Sequence, residues 1–294
     1  LMKKSKSLFT RICQSFLKKF FPKTLFPYFL LLRTSKNFKK KINSEKQLKK
    51  FSSILDKINE YEYKITSQNN EDGIIEFIFS KIPNNKYFVE IGFEYYEFNS
   101  LNLIKKGWEG KLIDTSLEDS LALEKNLNRN FPNSKVRIFT TKVDKKNIND
   151  LVIEENSNKK IDFFSLDIDS YDYWILETVD LSRVSVLCCE YNHWLGGEKK
   201  LTIPYDENFK FLDDGIWGAS ITALVDLLKK KGFSLIAVES SGTNIFFVKN
   251  ELAKNFEVLT PEKSFKSVGR FYDQNKKKEI FHNIKKNYHK LIEL

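Results

Sequence analysis

An α/β fold, with a mostly parallel sheet and helices on both faces, is predicted for this 294-residue chain from three observations. Short apolar runs alternate with helix-period segments from Lys64 onward. Two neighbouring runs end abruptly in acids and amides. The last two runs are joined by a hairpin-length turn. Alternation of strand and helix generates parallel pairs through right-handed crossovers, and the closing hairpin adds one antiparallel strand.

Each element has its own local reason. Glu71–Lys81 reads as a helix because Ile74, Ile75, Phe77 and Ile78 form an apolar stripe and Pro83 marks the stop. Tyr87–Gly92 is the first strand, and a helix-like segment follows near Asn99–Lys106. Gly110–Thr115 is the second strand. Leu117–Asn128 is a helix for which Ser116 is a suitable N-cap. Lys135–Val143, Ile161–Asp169 and Val184–Glu190 are strands, separated by helices at Asn147–Glu155 and Tyr171–Val179. Ser220–Lys231 keeps helical spacing through Ile221, Leu224, Val225 and Leu228, with Gly232 as its C-terminal stop. Phe233–Glu239 and Asn244–Lys249 flank Ser240-Ser-Gly-Thr243, where Gly242 supplies the positive φ of a tight turn.

Charge divides the chain. Residues 1–50 carry 15 Lys/Arg and one acid, a net of +14, which leaves the other 244 residues at −4 of the total +10. A basic arm on a mildly acidic body argues against a nucleic-acid partner, for which a basic face would be expected. The arm interleaves Phe9, Phe16, Phe20, Phe21, Phe26 and Phe29 with lysines, a pattern suited to an anionic membrane surface. Pro22 and Pro27 interrupt its apolar stretch, which falls short of the roughly 18 residues a membrane span needs. Leu25–Leu32 resembles a signal-peptide core, but lysines follow it in place of a small-residue cleavage site. The expected organisation is therefore a basic, aromatic-rich helical extension (1–64), a catalytic-type α/β domain (65–250) and a basic helical tail (251–294). Cys13, Cys188 and Cys189 have no metal-binding spacing. The adjacent pair lies on a strand, so its side chains should point to opposite faces and remain thiols in a reducing cytoplasm.

The chemistry concentrates at strand tips, where open α/β sheets bind ligands. Strand four ends in Asp167, Asp169 and Asp172, and strand five in Glu190-Tyr191-Asn192-His193. Strand one ends at Glu90-Ile-Gly92 and strand two at Asp114 and Thr115. The 24 residues from Glu90 to Asp114 are near the interval of about 20 between a backbone-approach glycine motif and a ribose-holding carboxylate. No G-x-S-x-G elbow or phosphate-cradling loop is present.

Taken in order, these motifs resemble the FkbM-like family of S-adenosylmethionine-dependent methyltransferases, in particular a bacterial branch often found with surface-polysaccharide functions. Ser67–Ile75 is similar to that branch's opening motif, and Phe88–Gly92 to its cofactor motif. Gly110–Ser116 matches the ribose-binding strand and Ser165–Trp174 the Asp-rich fourth strand. Glu190–Asn192, Leu201–Asp206, Gly218–Ser220 and Asn244–Val248 continue the likeness, which covers roughly residues 65–262. The resemblance implies a Rossmann-like seven-stranded methyltransferase sheet with a reversed last strand, and S-adenosylmethionine as cofactor. The chain departs from the family at Phe93-Glu-Tyr-Tyr-Glu97, where a second glycine is usual, and at Ser170, where many relatives have glycine. The alternative reading is a non-catalytic binding protein of the same fold with a degenerate cofactor loop.

The resemblance implies Glu90, Gly92, Asn99, Asp114, Thr115 and Asp167 as cofactor-binding residues. Methyl transfer chiefly requires the acceptor to be held in line and relieved of a proton. Asp167 is expected to position the acceptor and His193 to take the proton. The aperiodic segment Trp194–Gly218 is long enough for a functional lid. Its Trp194, Tyr205, Phe209, Phe211 and Trp217, with Asp206, Asp213 and Asp214, suit a sugar or glycan precursor, as in polysaccharide biosynthesis, and Asp169, Glu190 and Asn192 are expected to join Tyr205 and Trp217 in holding it. No metal is assigned, although Asp167, Asp169, Glu190 and Asn192 form an oxygen-rich set that could hold Mg²⁺. The expected setting is cytoplasmic, with residues 1–50 able to touch the inner face of the membrane.

Overall fold

The computed structural model describes residues 26–44, 47–48, 57–153, 159–267 and 272–294. Seven strands form one sheet: β1 (Tyr87–Ile91), β2 (Glu109–Asp114), β3 (Val136–Thr140), β4 (Ile161–Leu166), β5 (Val184–Glu190), β6 (Phe233–Val238) and β7 (Asn244–Lys249). Their order is β3-β2-β1-β4-β5-β7-β6. The pairs among β1 to β5 are parallel, and β7 runs antiparallel to both β5 and β6. This is the Rossmann-like methyltransferase sheet expected above, with the reversed strand supplied by the hairpin. The order changes direction between β1 and β4, which creates a crevice at their C-terminal ends.

Around the sheet lie α1 (Phe26–Ile42), α2 (Glu71–Lys81), α3 (Leu101–Lys105), α4 (Leu117–Asn130), α5 (Ile148–Val152), α6 (Asp172–Thr178), α7 (Ile221–Lys230), α8 (Pro261–Ser264) and α9 (Gln274–Asn287). The central strands β1 and β4 are buried along their whole length, as strands covered on both faces should be. One core joins Val89, Ile91, Phe164, Leu166 and Leu187 to Ile148, Ile175, Leu176, Leu224 and Leu228 of α5, α6 and α7. The other joins Phe88, Phe163 and Val186 to Ile74, Ile78, Leu101, Ile104 and Leu123 of α2, α3 and α4. Each fully buried large aliphatic or aromatic side chain contributes about 1.5–3 kcal/mol of transfer free energy. Cys188 belongs to the second core and Cys189 to the first, so strand alternation places the two free thiols on opposite faces.

Two strands stop three residues earlier than their apolar runs suggested. The fourth ends at Leu166 rather than Asp169 because the buried Asp172 carboxylate accepts from the N–H groups of Ile168 and Ser170, both at 3.0 Å, and pulls the chain into a turn. The third ends at Thr140 because Thr141, Lys142 and Val143 leave the sheet edge to wall the crevice.

The basic aromatic segment up to residue 25, including Cys13, lies outside the described residues. The chain that follows it is docked on the domain. Phe38 of α1 is fully buried and meets Phe131 edge-on, with ring centroids 6.5 Å apart. Gln47–Leu48 pairs antiparallel with Tyr63–Lys64. At the other end, α9 lays Ile280 and Phe281 over the long segment after β5, with Phe281 5.4 Å from Trp194. Ile292–Glu293 then pairs with Leu201–Thr202. The C-terminal tail thus forms an outer layer on that segment.

Candidate active site

The crevice at the C-terminal ends of β1, β2 and β4 opens into a cleft of about 430 Å³, a size typical of small-molecule sites. Its floor is set by one close approach. Gly92 has φ +83, and a Cβ there would lie 1.7 Å from the Asp167 carbonyl oxygen. Only glycine fits, so the tips of β1 and β4 close to backbone contact. Gly92 N–H donates to Ile113 O at 2.9 Å and Asp167 N–H to Ile91 O at 2.9 Å, which ties three strand tips together.

Asp114 ends β2 at the mouth of the cleft. Its Oδ2 accepts from Phe93 N–H at 3.2 Å and its Oδ1 from Ser116 N–H at 2.6 Å. Burial raises its pKa against those hydrogen bonds. The N-cap of α4 is Ser116, whose hydroxyl accepts from Asp119 N–H, so Asp114 is not occupied with capping. Thr115 lines the cleft beside it.

Glu90 also borders the cleft, but its carboxylate is turned to the loop after β1. It accepts from Asn99 N–H at 2.9 Å and Ser100 N–H at 2.8 Å, and from the Ser100 hydroxyl. Burial pushes its pKa up to about 7. Asn99 itself donates to Ser165 Oγ at 3.1 Å, which anchors the far end of the loop to β4. These two residues therefore shape the loop that encloses the cleft.

That loop replaces the usual second glycine with Phe93–Glu97, yet Tyr95 and Tyr96 are absent from the cleft lining. Both rings pack on the second core, and the Tyr95 hydroxyl accepts from Asn37 of α1 at 3.2 Å. Glu97 does face the cleft, and Lys41 and Lys64 hold it at 3.4 and 2.8 Å. The N-terminal helix thus buttresses the aromatic loop from outside. Ser170 needs no left-handed backbone; the residue that adopts it is Asp169, at φ +56.

Seven acidic residues and one lysine line the cleft: Glu90, Glu94, Glu97, Asp114, Asp167, Asp169 and Glu207 against Lys142. Phe209 and Phe211 also line it. Gln68 and Thr141, which the motifs did not single out, also line it. Gln68 is presented by a loop folded around Asp72, whose Oδ2 accepts from the N–H groups of Ile65, Thr66 and Ser67 at 2.7 to 2.9 Å. Neighbouring Glu71 accepts from Asn69 and from Asn244 of β7. The Ser67–Ile75 motif is thus a clasp that sets one wall of the cleft.

Five expected site residues fall outside the cleft lining: Glu190, Asn192, His193, Tyr205 and Trp217. Asn192 is fully buried and staples the following segment, donating to Gly215 O at 3.0 Å and Trp217 O at 2.8 Å while accepting from Trp194 N–H. Tyr205 packs on Tyr171, with centroids 5.2 Å apart, and its hydroxyl bonds Lys145 N–H and Glu207. Trp217 is buried between His193 and Phe211. His193 is enclosed by Trp194, Trp217 and Tyr272. Neither of its ring nitrogens has a hydrogen-bond partner among the described residues. Desolvation drives its pKa down to about 3. Glu190, beside the floor, lies within 4.8 Å of Asp167 and Asp169, measured between carboxylate oxygens.

No protein-family model and no curated protein matches the chain. Among solved structures it is similar to magnesium protoporphyrin IX methyltransferase (ChlM) from Synechocystis PCC 6803 with bound SAM. That pair shares 11% identity over 61% of this chain and 77% of the other, with a TM-score of 0.38. A S-adenosylmethionine-dependent methyltransferase from Clostridium acetobutylicum ATCC 824 overlaps at 12% identity, covering 61% of this chain and 90% of the other, with a TM-score of 0.39. The N-terminal domain of EvdMO1 with SAH bound overlaps at 11% identity, covering 74% and 94%, with a TM-score of 0.41. The strand order and the reversed β7 establish the architecture independently of these overlaps.

Proposed function

We propose that the protein is a methyltransferase that uses S-adenosylmethionine to methylate a hydroxyl group of a sugar or glycan precursor. The observation that carries this reading is the joint position of Gly92 and Asp114 on one acidic cleft at the point where the strand order reverses. Gly92 permits close backbone approach, and Asp114 stands where ribose hydroxyls would donate. Thr115 extends that edge. The surplus of carboxylates favours a ligand bearing sulfonium and ammonium charge and disfavours a pyrophosphate. When bound, S-adenosylmethionine supplies an electrophilic methyl group.

The residues of the chain then act by placement. The N–H groups and carboxylates around Gly92, Asp114 and Glu97 orient the cofactor, while Asp167 fixes the acceptor hydroxyl in line. Phe209 and Phe211 offer flat faces to a sugar ring, with Glu207 nearby to accept from its hydroxyls. The position of Tyr95 and Tyr96 outside the cleft lining supports this reading over a non-catalytic binding protein with a degenerate cofactor loop. Among the described residues no helix is long and apolar enough to cross a membrane; the +14 charge of residues 1–50 suits peripheral contact with an anionic membrane surface from the cytoplasmic side.

The acceptor class is tested with S-adenosylmethionine labelled in its methyl group and a panel of uncharged sugars and oligosaccharides. Label should enter a sugar, and Asp167→Asn should slow the transfer by about 100-fold, the scale of a misplaced acceptor. Cofactor binding without transfer to any sugar would remove the glycan part of the proposal.

A further inference from the structure

The tips of β4 and β5 carry a feature that methyl transfer does not by itself require. One carboxylate oxygen each from Asp167, Asp169 and Glu190 lies within 4.8 Å of the others. Asp167 and Asp169 face the cleft, and Glu190 stands behind them. Glu190 is half-buried, but its Oε2 is sealed from solvent with no hydrogen-bond partner among the described residues. A carboxylate oxygen sealed from solvent without a partner is costly unless a positive charge or a proton compensates it.

From this geometry we infer that Asp167, Asp169 and Glu190 form a binding site for a divalent cation on the acceptor side of the cleft. The inference rests on the reading of the cleft as a methyl-transfer site and adds to it how the acceptor's oxygen is held. The donors are all carboxylate oxygens, which select a hard ion such as Mg²⁺, Mn²⁺ or Ca²⁺ over Zn²⁺. Trans oxygens about 2.3–2.6 Å from a Ca²⁺ ion are separated by about twice that distance. The observed spread therefore fits a single ion. Asn192, the fourth member of the set expected from sequence, is excluded because its amide holds the segment after β5. Three carboxylates drawn this close together repel one another. A cation would relieve that repulsion, and its remaining positions would face the cleft, open to hydroxyl oxygens of a polyol.

The test uses Mn²⁺ alone as the probe, with free Mn²⁺ read by electron paramagnetic resonance and the same protein titrated with S-adenosylmethionine by calorimetry. One equivalent of Mn²⁺ should bind, Mg²⁺ or Ca²⁺ should displace it, and Asp169→Asn should weaken it by about tenfold or more. Asp169 is exposed and in the left-handed region, which asparagine also tolerates, so this variant should fold. Glu190→Gln should weaken Mn²⁺ similarly, whereas Asp206→Asn, outside the cluster, should not. No Mn²⁺ binding by wild-type protein that binds S-adenosylmethionine, or Mn²⁺ binding indifferent to Asp169→Asn, overturns the cation site and leaves the methyltransferase reading intact. Stoichiometric Mn²⁺ lost in both cluster variants, without any cofactor heat, would support the ion site and remove the methyltransferase reading.

Discussion

Gly92→Ala should destabilise the protein by about 3–5 kcal/mol, the combined cost of a left-handed non-glycine residue and a forced backbone shift in a packed site. The added methyl would sit 1.7 Å from the Asp167 carbonyl oxygen, and the φ of +83 gives it no relaxed alternative. Either the tips of β1 and β4 separate, which breaks the 2.9 Å bond from Asp167 N–H to Ile91 O, or the loop after β1 is displaced. Both outcomes open the cleft floor. Urea unfolding gives the stability change directly. A loss below about 0.5 kcal/mol, the range of an unremarkable surface change, would mean the two tips do not meet as described.

Asp72→Ala should cost a comparable amount, about 3–5 kcal/mol, for a different reason. The side chain is buried and accepts from three backbone N–H groups and from the hydroxyls of Thr66 and Ser67. Its removal leaves several buried donors without an acceptor, at about 1–3 kcal/mol each before relaxation. The loop it gathers carries Gln68 into the cleft, so cofactor affinity should fall along with stability. Asp226→Ala is the matched control. That carboxylate forms a surface pair with Lys230 at 2.8 Å, and its loss should stay within about 1 kcal/mol. Equal effects of the two variants in an unfolding titration would show that the Asp72 clasp does not hold the loop.

The sheet was legible in the sequence because its information is local. Apolar runs of five to seven residues, separated by helix-period segments, mark β1, β4 and β5 without reference to anything distant. The cleft lining at strand tips was legible for the same reason: Gly92, Asp114, Thr115 and Asp167 follow directly from where a strand ends. What lay beyond local pattern is the path of the segment after β5. Its aromatic residues look alike in sequence, yet Phe209 and Phe211 reach the cleft while Tyr205 and Trp217 pack inward. The choice depends on Asn192 bonding across more than twenty residues and on α9 covering the segment from the far end of the chain. The enclosure of His193 lay beyond local pattern likewise, since the fold brings Tyr272 against its ring. Gln68 carried a signal that could have found it: a polar run before a helix whose first turn holds Glu71 and Asp72 is a candidate for a carboxylate-gathered loop.

The central claim is that Gly92 and Asp114 border a site for S-adenosylmethionine. Calorimetric titration of this cofactor into wild-type protein and into Asp114→Ala tests it most directly, with circular dichroism confirming that both are folded. One site of micromolar affinity in the wild-type protein, weakened about tenfold or more by the loss of charged hydrogen bonds to the ribose, is the predicted result. Folded wild-type protein that gives no heat, or an Asp114→Ala variant that binds as tightly as wild type, would contradict it.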